Sequence, residues 1–278
     1  MVRYITVLLF LAGAAFGQVT QRNLLSGHFS FEDVKASLIP QAKWHPYPTI
    51  PSEWKQRVPQ NELDEIVKRG ETALKKEIPQ VTATLLLEYV RNGNRSRYEA
   101  QSFARRNNLM DLVLAESVEG KGRFTDAIAN YVWAICEETY WGVPAHLSVQ
   151  KAKNGLPDVT DPIVELFGAE TAATLALTDY FVGPKLDAIS PLIRKRIYLE
   201  ANRKILDPIK QTQRYSWLDP TKKVNNWNPW INSNILATNL LIEPDPAVRE
   251  QTVLRAIESV DRFLDGYHPD GARIGMTG

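Results

Sequence analysis

The stretch "GRFTDAIANYVWAICEETYWGVPAH", residues 122–146, decides how the rest of the chain reads. Phe124, Ala127, Ile128, Tyr131, Val132 and Ile135 recur every three or four positions, the spacing of one face of an α-helix. Gly142 and Pro144 then interrupt the pattern. The same period returns in residues 61–78 with Leu63, Ile66, Val67, Gly70 and Leu74. It returns again in 189–210 with Ile193, Ile197, Ala201 and Ile205, behind a Ser190-Pro191 start signal. Residues 246–265 continue it with Val253, Ile257, Val260 and Leu264. Runs of alternating apolar and polar residues are missing, so few strands are expected. Gly-, Pro- or Asn-bearing breaks fall at 91–94, 118–122, 140–144 and 182–184. Helices joined this way predict stacked antiparallel hairpins. With no fixed repeat period a solenoid is disfavoured, and the expected fold is all-α, an (α/α) toroid whose loops gather at one mouth.

Composition narrows the partners. The chain has 278 residues and a net charge of +1, so no global field draws in nucleic acid, and an anionic ligand needs a local pocket. Residues 1–17 read as a signal peptide: Arg3 supplies the charge, residues 5–16 the apolar run, and Ala15-Phe16-Gly17 the cleavage site. That run is short for a membrane span. A secreted or periplasmic location follows, with no stable membrane insertion after the signal is removed. Residues 18–58 carry five closely spaced prolines between 40 and 59 and read as an extended segment anchored by Trp44, Tyr47 and Trp54. Residues 59–278 are then the toroid domain. The single Cys136 lies in a helical pattern and reads as a buried structural thiol. The four histidines lack ligand spacing, and no HExxH, CxxC or phosphate loop occurs, so neither metal nor cofactor is expected.

Two clusters could carry chemistry. In "NNWNPWINSNILATNLL", residues 225–241, five asparagines and two tryptophans precede an apolar helix. Asn225, Asn226 and Asn228 would project from the loop end of that helix, with Asn232 one turn in. Uncharged amides can donate to a carboxylate without adding a competing charge. Capping and Asx turns are the plain alternative for any one of them. Trp227 and Trp230 beside them favour a sugar-binding surface. The second cluster is Glu138, Tyr140, Trp141 and His146, an acid, two aromatics and a histidine at a helix mouth. Aromatic packing around a helix C-terminus is its alternative. Glu137 and Glu138 are adjacent, so on one helix they point about 100° apart and cannot flank one glycosidic bond. His268, in "HPDG", marks a turn or the approach to a site.

Three blocks in order, "NYVWAICEETYWGVPAH" (130–146), "NNWNPWINSNIL" (225–236) and "FLDGYHPDG" (263–271), resemble the heparinase II/III-like polysaccharide lyases of bacteria. The resemblance spans about residues 60 to 271. It implies an N-terminal α/α toroid, a following β-sandwich domain, and β-elimination on uronic-acid glycans such as heparin-, heparan- or alginate-like chains. It also implies that an amide neutralises the uronate carboxylate, a role carried onto Asn226 first, then Asn225 and Asn228. In the family "GYHPDG" leads into a segment bearing a catalytic tyrosine; here the chain reads "ARIGMTG" and the sandwich does not follow. A fragment with weak or no lyase activity is therefore expected. Two other readings remain open: a non-catalytic glycan-binding helical domain, and an α/α-toroid glycoside hydrolase.

Overall fold

The computed structural model describes residues 21–219 and 224–267. The expected signal peptide and His268 lie outside the described residues. Among these residues there are ten α-helices and no β-strand. They are α1 (Phe31–Ser37), α2 (Pro51–Arg57), α3 (Gln60–Leu74), α4 (Ala83–Asn92) and α5 (Ser96–Glu119). After these come α6 (Thr125–Cys136), α7 (Leu166–Ile189), α8 (Pro191–Ala201), α9 (Trp227–Ile242) and α10 (Pro246–Leu264). No described helix is long and apolar enough to cross a membrane.

The long helices form a row. α3 packs on α5, α5 on α7, and α7 on α9, while α6 and α8 pack on each other and on this row. Leu109, Leu112, Ile128, Val132, Ile135, Leu175, Leu186 and Ile231 are fully buried along the shared seam. Each such side chain contributes about 1.5–3 kcal/mol on leaving water. α3 and α5 cross at Gly70, where a Cβ would overlap that of Ala115. Cys136 is buried in the same core, and burial pushes its thiol up to about 12, as befits a packing residue.

Four expectations change. The break at 182–184 does not occur, because α7 runs straight through Gly183 and Pro184. Proline removes one helical hydrogen bond, a cost of about 3 kcal/mol, and α7 is buried against α5, α8 and α9, which outweighs it. Leu74 is exposed, and its neighbour Ala73 takes the buried position. The apolar face of α10 is only half-buried, whereas Arg249, Ser259 and Asp261 are buried. Residues 18–58 are not simply extended. Their described part contains α1, α2 and a short 3-10 turn, and Ser30 and Asp33 cap α1 reciprocally.

The polar face of α10 is explained by that N-terminal segment. Asp261 accepts from Leu25 N (2.7 Å), Ser26 N (2.8 Å) and the Ser26 hydroxyl (2.6 Å), while Asp265 accepts from Arg22 N (2.9 Å). Arg249 donates to Ile39 O (2.7 Å), and Gln41 to Leu241 O (2.7 Å). Further on, the Trp54 indole donates to Ser117 Oγ on α5 (2.8 Å), and Tyr47 N to the Tyr180 hydroxyl on α7 (3.1 Å). One segment thus strings together α10, α9, α7 and α5.

Burial would raise the Asp261 carboxyl, but the bonds from Ser26 and Leu25 outweigh it and hold the group below the usual carboxylate range. A lowered folded value contributes stability above the unfolded value of about 3.9 and loses it as pH falls through the folded one. Asp261→Asn should therefore destabilise the protein at neutral pH by about 1–3 kcal/mol. The gap to the parent should close in acid. Thermal unfolding at several pH values checks this, and a gap independent of pH would exclude the charge as its source.

Candidate functional site

The site is assembled at the start of α7. Glu165 is the N-cap of that helix and fully buried; one carboxylate oxygen accepts from Gly168 N at 2.6 Å. Its other oxygen meets Nδ1 of His146, which stands in a 3-10 turn opened by Pro144. A carboxylate only accepts, so Nδ1 donates and Nε2 is left as the acceptor of the neutral ring. Gly142 makes room for this arrangement, since a Cβ there would collide with Glu165 Oε1 and the Tyr140 hydroxyl. The Tyr140 hydroxyl is buried without a partner, and desolvation followed by the nearby Glu165 charge pushes it well above the ordinary phenol range.

Aromatic rings surround His146. Its ring lies 4.6 Å from Trp227 between centroids and stacks parallel to Phe167 at 6.1 Å. Phe167 in turn packs on Phe103 at 4.8 Å and meets Trp230 edge-on at 6.1 Å. Next to this row is a cleft of 290 Å³ lined by Phe103, Arg106, Asn107, Phe167, Glu170 and Trp230. Desolvation raises Glu170; the Trp230 indole N–H opposes it, and the Glu165 charge adds to it.

Beneath the cleft, Glu138 is clamped by two arginines of α5. Arg106 reaches it through Nη1 (2.8 Å) and Nη2 (2.5 Å), and Arg105 through Nη1 (2.8 Å). All three side chains are buried. Glu138 follows the end of α6, so this clamp pins the turn leading to Tyr140, Gly142 and His146.

The structure divides the residues singled out from sequence. Asn225 and Asn226 are exposed at the head of α9, and Asn225 Oδ1 accepts from Trp227 N at 3.0 Å. Asn228 is fully buried; its amide donates to Trp217 O (3.0 Å) and Ser259 Oγ (2.8 Å). Asn232 is also buried and donates to Asn228 O (2.8 Å) and Ser259 Oγ (2.9 Å). These two amides tie α9 to α10. Trp141 is buried in the core with its indole donating to Ile135 O (2.8 Å) under the Lys204 ammonium. His146, Trp227 and Trp230 come together around the aromatic row. Glu138 forms its foundation, and Tyr140 lies buried behind His146.

Sequence reasoning overlooked Glu165, Arg106, Phe103, Phe167 and Glu170. Glu165 alone carried a signal, an acidic residue just ahead of a long apolar helical run. In comparisons with known proteins, no family model matches this chain and no curated protein matches it.

The two kinds of asparagine should behave differently. Asn228→Ala removes both donors from buried acceptors and should cost about 1–3 kcal/mol. Asn226→Ala, at an exposed position without a side-chain cap bond, should stay within about 0.5 kcal/mol of the parent. Chemical denaturation of the two variants separates them, and equal losses would contradict the division.

Proposed function

We propose that this chain is the helical ring of a secreted or periplasmic polysaccharide lyase that acts on uronic-acid glycans. The row of α3, α5, α7 and α9 with α6 and α8 against it is compatible with an α/α toroid. The observation that carries the reading is the His146–Glu165 pair set against Trp227, the residue next to Asn226. A uronate stacked on Trp227 would bring its carboxylate to the exposed amides of Asn226 and Asn225. Donation there stabilises the charge that builds up on the carboxylate when the C5 proton leaves. Nε2 of His146 takes that proton, with Glu165 steadying the imidazolium as Nδ1–H points at it. The C5–H electrons form the C4–C5 double bond, the C4–O4 bond breaks, and the proton is available to the departing O4.

A non-catalytic glycan-binding domain is the second reading, favoured by one observation: Asn228 and Asn232 are turned inward, which halves the amides open to a ligand. The hydrolase reading is weakened because both Glu138 oxygens are engaged by arginines.

Incubation with heparan-, alginate- and glucuronan-type glycans, followed by ultraviolet absorbance of the conjugated double bond, tests the proposal. His146→Ala should lower any elimination rate by about 10²–10⁴-fold while binding persists. Glu165→Gln should keep partial activity and change its pH profile. Glycan binding without unsaturated product would leave the binding domain as the function.

A further inference from the structure

We infer that the cleft between α5, α7 and α9 is a subsite for a sugar ring bearing neither carboxylate nor sulfate, and that Glu170 sets this selection. The inference rests on the glycan reading above and describes the neighbour of the uronate. At 290 Å³ the cleft lies at the small end of ligand sites, with room for one ring. Phe103, Phe167 and Trp230 give it aromatic walls, and Trp230 is 41% exposed.

Two charged groups line it, and they differ in what they can still do. Arg106 Nε donates to Thr171 Oγ1 (3.1 Å), Nη1 to Ser102 O (3.2 Å) and Glu138 (2.8 Å), and Nη2 to Glu138 (2.5 Å). Every nitrogen of the guanidinium is engaged, and a buried carboxylate faces its charge. An anion therefore finds no nitrogen of this guanidinium without a partner, although Arg105 shares Glu138 and the Arg106 charge still reaches Glu170. Glu170 is exposed at the rim beside the Trp230 indole N–H. An acidic group on the entering ring would confront that like charge in a partly dehydrated slot. Hydroxyl or amide groups would instead find an acceptor, and an ammonium would gain the face of Trp230 as well.

Calorimetric titration of the full chain with three tetrasaccharides tests this. They are an alternating uronate–N-acetylhexosamine, the same sugar sulfated on the hexosamine, and an all-uronate chain. The first should bind about tenfold tighter than the other two, a difference of about 1.4 kcal/mol. Glu170→Gln should raise affinity for the sulfated and all-uronate sugars to that of the first, leaving the first little changed. Trp230→Ala should weaken all three. Equal binding of the three by the parent, or a preference untouched by Glu170→Gln, overturns the inference alone. No binding of any of them overturns it together with the glycan reading, and binding with no elimination leaves it standing.

Discussion

The buried carboxylate of Glu165 is the point on which the site and the fold both turn. One oxygen starts α7, the helix against which α5, α8 and α9 pack. The other holds His146, the histidine set against Phe167 and Trp227. A helix cap is normally worth about 1 kcal/mol, but here the cap is also the orienter of an imidazole. The chain therefore cannot retune His146 without disturbing the start of its central helix. Gly142 belongs to the same constraint, since the space it leaves empty is occupied by Glu165 and Tyr140.

Much of the fold was legible. The helical period in residues 61–78, 122–138 and 189–210 matches α3, α6 and α8 with the following turn, and the Ser190-Pro191 signal opens α8 as read. The failures share a cause. Pro184 looks like a stop until its helix is seen packed on α5, α6, α8 and α9. The segment before α3 looks irregular in sequence because many of its bonds go to partners far along the chain, as with Gln41 and Leu241. The half-buried face of α10 follows from the same segment, whose backbone amides call for carboxylates rather than apolar side chains.

The site was legible only where its parts are close in sequence. His146, Trp227 and Trp230 were marked by their neighbours. Phe103, Arg106, Phe167 and Glu170 look like ordinary helix residues, and only packing of α5 on α7 and α7 on α9 brings them to one cleft. The asparagines held a clue that could have been read further. Asn228 and Asn232 are four apart and share a helix face, which here is turned to Ser259. Asn225 and Asn226 precede the helix and escape it. The Arg105–Glu138–Arg106 clamp was invisible for the same reason, since its three side chains meet only when α5 packs beside the end of α6.

The tie between residues 22–26 and α10 has a consequence for how the molecule comes together. Its partners are separated by 235 to 243 positions, so almost the whole chain must already be in place before the loop can close. Contacts this distant are reached late and slowly. During synthesis the early residues would wait, exposed, while the row of helices condensed without them. In the finished protein the same junction ties the first described residues to the last long helix through Asp261 and Asp265.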